Sequence, residues 1–213
     1  GEAGDALTTG GLNVAVGYGA LTADDVGSQT VAIGRNALAA QNYATATNSQ
    51  NTAVGYESGL SVTTGIANTL IGTQAGDAIT DADYNVAVGN SALSTNQLGS
   101  KSIAIGHSAL FTQNPTTATD MFNVGVGHAA GISVTTGVKN TLIGGLAGDA
   151  LTTNGLNVVV GYGALSTEDT GSRNVAIGVS ALSTQNADTT NYNVAVGYNA
   201  GSAVTTGTQN TLI

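Results

Sequence analysis

Carboxylates recur along this chain at a fixed interval. Asp5, Asp77 and Asp149 each stand in the phrase A-G-D-A, 72 residues apart, and Glu168-Asp169 matches Asp24-Asp25. A calcium ion takes about six to eight oxygens that converge on one point. Copies so far apart along the chain cannot share one ion, so turn capping and solvation are the better interpretation.

The two histidines are the next candidates for chemistry. His107 and His128 follow glycines at matching places in adjacent repeats. Two imidazoles without a third ligand or a carboxylate make a weak metal site. No serine, threonine or lysine stands in a recognisable set with a base and an orienting group. We therefore expect no catalytic residue, no metal site and no cofactor.

Aromatic residues suggest binding more than chemistry. Four tyrosines directly follow a glycine, namely Tyr18, Tyr56, Tyr162 and Tyr198. Stacked tyrosines can bind sugars, but such residues are more often partly buried spacers with a hydrated hydroxyl.

Three over-long turns are the best candidates for contact with a receptor or glycan. They cover residues 41–50, 113–122 and 185–192 and recur in every fourth repeat. Binding residues are often found in loops that a rigid scaffold holds in place. The alternative is that these longer turns are tolerated insertions without a function, or that they pack between chains. The candidate contact residues are Tyr43, Pro115, Met121, Phe122 and Tyr192.

All these residues are placed by one nine-residue phrase that recurs along the whole chain. It begins at residues 13, 30, 51, 68, 85, 102, 123, 140, 157, 174, 193 and 210. Four phrase types form a block, which predicts one repeat array over 1–213 with blocks 13–84, 85–156 and 157–213. Residues 1–12 match the tail of a preceding block, so we expect a segment of a longer fibre.

The first five residues of the phrase predict a short strand that ends at a glycine corner. The third position is small or apolar and lies on the face opposite to the second and fourth. It fits a second buried face. The fourth position is Val or Ile in every copy, and we expect these to stack as the structural core: Val16, Ile33, Val54, Ile71, Val88, Ile105, Val126, Ile143, Val160, Ile177 and Val196.

The fifth position of the phrase is glycine in every copy that reaches it, which indicates positive φ or a close backbone approach. These corner glycines are Gly17, Gly34, Gly55, Gly72, Gly89, Gly106, Gly127, Gly144, Gly161, Gly178 and Gly197.

A single repeat cannot fold alone. Fixing about 17 residues costs on the order of 17–34 kcal/mol of backbone entropy, whereas each buried aliphatic side chain contributes only about 1.5–3 kcal/mol. Stacked repeats share hydrogen bonds, and the leading asparagine would form a ladder. The sequence thus predicts an all-β fold, a parallel β-solenoid (β-roll) of about 12 coils of ~17 residues.

Composition excludes several classes of partner. The net charge is −9 with four basic residues, 41% of residues are hydrophobic and 8% are charged. The basic residues are too few to predict nucleic-acid binding or docking on anionic lipid. No apolar run is long enough for a membrane span.

The phrase N-[VT]-A-[VI]-G-x-x-A resembles the head repeat of the YadA-like trimeric autotransporter adhesins. The stretch D-T-G-S-R-N-V-A-I-G at 169–178 is similar to repeats of phage tail fibres and marine bacterial surface proteins. The resemblance covers essentially the whole chain. It implies a left-handed β-roll, a homotrimer and an extracellular place on a cell surface or virion tail.

We therefore expect a non-catalytic structural segment of an extracellular fibrous adhesin that displays or mediates attachment to surfaces or host cells. The alternatives are the shaft of a phage tail fibre and a self-assembling extracellular filament for matrix or cell–cell contact. The expected partners are other copies of the chain, in a homotrimer or an end-to-end filament, and an unknown surface receptor or glycan.

Overall fold

The computed structural model describes all 213 residues, and the chain is all-β with no helix. The strands are short because each coil turns sharply after its glycine. They are β1 (Val14–Val16), β2 (Gly27–Ser28), β3 (Val31–Ile33), β4 (Thr47–Asn48), β5 (Thr52–Val54), β6 (Thr69–Ile71), β7 (Val86–Val88), β8 (Gly99–Ser100), β9 (Ile103–Ile105), β10 (Thr119–Asp120), β11 (Val124–Val126), β12 (Thr141–Ile143), β13 (Val158–Val160), β14 (Val175–Ile177), β15 (Val194–Val196) and β16 (Thr211–Leu212).

Twelve of these strands form one parallel sheet, in the order β1-β3-β5-β6-β7-β9-β11-β12-β13-β14-β15-β16. Equivalent phrase positions are paired, so that Val16 lies beside Ile33 and Ile33 beside Val54. Each coil therefore contributes one rung, and the rungs stand about 4.7–4.9 Å apart. The predicted parallel β-solenoid of about 12 coils is confirmed.

The strand face that points into the solenoid is not the one that the sequence analysis predicted as the core. The third position points into the solenoid: Ala32, Ala53 and Leu70 are fully buried. The fourth position points out, and no member of the Val/Ile column is buried. The prediction that this column is the core is wrong for the single chain. The residues concerned are Val16, Ile33, Val54, Ile71, Val88, Ile105, Val126, Ile143, Val160, Ile177 and Val196.

The physical reason is the small cross-section of the coil, which holds few large side chains. Where the third phrase position is Leu, the ninth is Gly, and where the ninth is Leu, the third is usually Ala. Leu70 illustrates the fit, because a Cβ added to Gly59 or to Gly76 would lie 2.7 Å from its methyl groups. Interiors are close-packed, so these small positions are filled by leucines of the same or the adjacent rung.

The corner glycines bring the backbones of adjacent rungs into direct contact. Gly72 has a φ of +132°, and a Cβ there would lie 2.5 Å from the carbonyl oxygen of Gly89. The eleven corner glycines have φ between +123° and +144°. Only glycine adopts this conformation readily, which explains the residue type at this position.

The leading asparagines connect the rungs inside the solenoid. Asn68 is fully buried. Its Nδ2 donates to the carbonyl of Ala82 at 2.8 Å, and its Oδ1 accepts from the backbone N–H of Asn85 at 2.9 Å. Asn51 repeats the pattern with Gly65 and Asn68. Each such amide thus satisfies backbone groups of the next rung that would otherwise be buried without partners.

The over-long turns carry small ladders of their own. β2 pairs with β4 and β8 pairs with β10, both in parallel, and a single bridge joins Ser172 to Thr190 at the third place. The additional residues therefore remain attached to the rung before them.

Candidate interaction surfaces

The outer face of the twelve-stranded sheet is lined by aliphatic side chains and threonines. Its two columns are the second and fourth phrase positions, which hold only Val, Ile and Thr. Several members are exposed, for example Ile103, Ile105 and Ile143, each at 39%. Contiguous exposed apolar surfaces are candidates for interaction sites in folded proteins. We call these two columns the outer sheet face.

Another column of side chains, separate from the two of the outer sheet face, borders this face at the start of the strands. It consists of the residue directly before each phrase, and we call it the side ridge. Its members that have large side chains are exposed. The members in chain order are Leu12, Gln29, Gln50, Ala67, Tyr84, Lys101, Phe122, Lys139, Leu156, Arg173, Tyr192 and Gln209.

Each ridge residue is held at the spacing of the rungs. All twelve have positive φ, as in Tyr84 at 58° and Arg173 at 60°. The backbone N–H of Lys139 donates to the carbonyl of Met121 on the preceding rung at 2.8 Å, and that of Leu156 donates to Val138 at 3.0 Å. The side chains therefore follow one another in a line along the rod.

The residues that directly follow the corner glycines form a column on the other side of the outer sheet face. Tyr18, Tyr56, Tyr162 and Tyr198 lie in it and are all exposed, up to 78% for Tyr198. These tyrosines are more exposed than the partly buried spacers that the sequence predicted, because they lie at an outward corner of the coil. His107 and His128 are neighbours in this column, with ring centroids 5.2 Å apart.

Only two of the five predicted contact residues are accessible. Phe122 and Tyr192 are about half exposed, and both belong to the side ridge. Tyr43, Met121 and Pro115 are buried, so their predicted role in direct contact is wrong. The over-long turns fold these side chains inward, because the interior beneath the longer coil must also be filled.

Tyr43 shows how one such turn is anchored. Its hydroxyl donates to the carbonyl of Gly65 at 2.9 Å and accepts from Nδ2 of Asn51. Burial, together with the charge of Asp24, raises the pKa of Tyr43 well above its usual range. The tyrosine is therefore a neutral internal bridge.

Two carboxylates lie inside the solenoid beneath the over-long turns. Asp24 and Glu168 are fully buried. Glu168 accepts hydrogen bonds from the backbone N–H of Gly171 at 2.7 Å and from Nδ2 of Asn191 at 2.7 Å. Asp24 accepts equivalent bonds from Gly27 and Gln41. The expected capping of turns is confirmed for both, whereas the expected solvation is wrong.

The A-G-D-A carboxylates differ from one another in their surroundings. Asp5 is exposed. Burial raises the pKa of Asp77 and of Asp149 above the usual range, and hydrogen bonds, including one from Ser94 to Asp77, offset part of this effect. Asp149 has one buried oxygen without a hydrogen-bond partner.

A shallow groove of about 750 Å³ lies beside the second over-long turn. Its carboxylates already have partners, because Asp83 accepts from the N–H of Ile66 and Asp120 pairs with Lys101. Asp81 accepts from Thr64. No three His, Cys, Asp or Glu side chains converge as metal ligands anywhere in the chain.

Comparisons with protein-family models, with curated proteins and with solved structures found no match for this chain. The chain also has no helix with the length and hydrophobicity needed to span a bilayer.

Proposed function

We propose that this chain is a non-catalytic, structural segment of an extracellular fibrous adhesin of the YadA-like kind, which holds attachment surfaces away from a cell. The observation that carries the proposal is the continuous outer sheet face, in which Val, Ile and Thr line one side of a twelve-rung rod. Such a face is costly to leave in water, at roughly 25 cal/mol for each Å² of apolar area.

The outer sheet face supports association with copies of the same chain. Each chain has one such face along its full length, and closed symmetric assemblies are the usual result when identical chains bury one shared surface. A homotrimer, with the three outer sheet faces turned toward a common axis, buries all of them. The sequence resemblance to trimeric adhesin heads agrees with this arrangement.

Analytical ultracentrifugation tests the assembly. We expect the wild-type chain to sediment as a trimer and Ile105→Lys to sediment as a monomer, because a charge would be buried in an apolar contact. Thr136→Lys is the matched control, since Thr136 is exposed in a turn outside this face, and it should remain trimeric.

A wild-type chain that stays monomeric at high concentration, or Ile105→Lys that assembles like Thr136→Lys, would refute association through the outer sheet face. Electron micrographs of filaments that lengthen with protein concentration would favour a self-assembling filament over a shaft of fixed length.

A further inference from the structure

We propose that the side ridge between Lys101 and Tyr192 binds a linear acidic polysaccharide that runs parallel to the rod. The inference rests on the proposed adhesive function, in that it names the class of partner. It starts from the placement of charge. Three of the four basic residues in a chain of net charge −9 stand in this one column: Lys101, Lys139 and Arg173.

The ridge alternates strictly between cationic and apolar side chains over six successive rungs. In order along the rod these are Lys101, Phe122, Lys139, Leu156, Arg173 and Tyr192. Cations therefore recur every second rung, roughly 9–10 Å apart. A linear polyuronate has the matching character, because its carboxylates recur at regular intervals and its sugar rings present apolar C–H faces between them.

Two of the three cations of the ridge have no acidic partner. The chain has two salt bridges, Arg35–Glu57 and Lys101–Asp120. Lys101 is therefore already paired, and Lys139 and Arg173 are the ridge cations that carry the proposal. The two residues that precede each ridge member from Lys139 to Tyr192 are uncharged. The guanidinium of Arg173 donates one long hydrogen bond, to the hydroxyl of Tyr192 at 3.4 Å, and an arginine fork with no acidic partner fits the two oxygens of a carboxylate.

Aromatic rings complete the surface. The guanidinium of Arg173 lies 5.5 Å from the ring centroid of Tyr192, and the ammonium group of Lys101 lies 5.5 Å from that of Phe122. Both rings are about half exposed. The Arg173–Tyr192 pair thus offers an unpaired cation and an apolar surface side by side, which suits the two kinds of surface on an acidic sugar. In the Lys101–Phe122 pair the ammonium group is also bound to Asp120.

The backbone does not require these residue types. Every ridge position has a φ between 52° and 66°, where Gly or Asn is the least strained choice. None of the twelve copies has either residue. Buried leucines such as Leu38 and Leu110 adopt the same left-handed conformation, so this conformation is general in the coil. What distinguishes the ridge is that its large side chains face water.

Isothermal titration calorimetry with polygalacturonate at low salt tests the proposal on the whole chain. We expect binding that weakens as salt is added, because the contacts are exposed ion pairs. Arg173→Gln should weaken binding by about tenfold, which corresponds to the loss of one bidentate, charge-assisted contact. Neutral dextran should not bind.

Arg35→Gln is the matched control, because it removes the same charge and Arg35 also stacks on a tyrosine, at 5.5 Å from the ring of Tyr56. It should bind like the wild type. For the ring, Tyr192→Leu should weaken binding, whereas Tyr162→Leu, in the column after the corner glycines, should not. Far-ultraviolet circular dichroism confirms that each variant is folded.

Three results would overturn the inference. They are no binding of polygalacturonate by the wild type, equal weakening by Arg35→Gln and Arg173→Gln, and equal affinity for duplex DNA, which would indicate unspecific attraction to polyanions. If Arg173→Gln changes sedimentation and leaves polygalacturonate binding intact, the ridge is instead a contact between copies. Binding is measured on the chain in any assembly state, so a monomeric wild type would refute the proposed trimer without affecting this result.

Discussion

Asn68 and Asn85 lie in adjacent rungs, and the side-chain oxygen of the first accepts the backbone N–H of the second at 2.9 Å. Both residues are fully buried, so water cannot replace the bond. The relationship repeats along the solenoid and makes the asparagine amide a connector between successive coils.

We expect Asn68→Ala to lower the free energy of unfolding by about 2–4 kcal/mol, because the N–H of Asn85 and the carbonyl of Ala82 both lose a buried partner. Urea denaturation followed by circular dichroism measures the change. Asn42→Ala is the control, since Asn42 is exposed and its side chain makes no hydrogen bond. Equal loss in both variants would contradict the role of the ladder.

The direction of the strand faces can be tested with two neighbouring residues. Leu142 is fully buried, whereas Ile143 is 39% exposed. Leu142→Ala should cost about 2–5 kcal/mol, the usual range for a leucine removed from a core. Ile143→Ala should cost well under half of that when it is measured in the Ile105→Lys background, which removes the proposed contact between chains. A larger cost for Ile143→Ala than for Leu142→Ala would show that the faces are reversed.

The glycine corners should tolerate no side chain. Gly72→Ala adds a Cβ 2.5 Å from the carbonyl oxygen of Gly89 at a φ of +132°, and the backbone strain alone costs about 1–3 kcal/mol. We expect a strongly lowered melting temperature or no folded protein. Gly163→Asn is the comparison, because Gly163 has a φ of +59° and nothing within 4 Å of an added Cβ. It should melt close to the wild type, and a similar loss in both would argue against the close approach.

Asp149 should make stability depend on pH. Burial raises its pKa in the folded state, so the folded protein holds this proton more tightly than the unfolded chain does. Stability is therefore greatest below the unfolded-state pKa, and it falls as pH rises through the interval up to the folded-state pKa.

We thus expect Asp149→Asn to raise the melting temperature at neutral pH and to flatten its fall across that interval. Thermal melts between acidic and neutral pH measure both effects. Asp5→Asn is the control at the equivalent, exposed position and should change neither quantity. A neutral-pH melting temperature lowered by Asp149→Asn would contradict the assignment.

The sequence predicts the period of the fold but not which strand face points inward. The recurrence of the phrase is sufficient for the register that pairs Val16 with Ile33. The inward direction depends on the packing of distant positions, such as Leu70 between Gly59 and Gly76, and both faces of the strand are apolar in the sequence. The alternation of side chains along the strand therefore could not show which of its two faces points into the solenoid.

The candidate surfaces were predictable to a smaller extent. Phe122 and Tyr192 are accessible, but Tyr43 and Met121 are turned inward, because the path of a long turn depends on what remains unfilled beneath it. The side ridge is not evident as a motif in the sequence, because its members are about seventeen or more residues apart and differ in type. Aligning the residue before each phrase would have revealed it.

The contacts between rungs determine how the number of repeats in such a protein can change during evolution. Each rung of the sheet pairs only with its two neighbours, and the four phrase types recur after 72 residues, or after 70 for the last two types of the third block. A gene that gains or loses one such unit by unequal crossing-over leaves every junction as it was. The length of the encoded rod therefore changes in steps of four rungs, or roughly 19 Å.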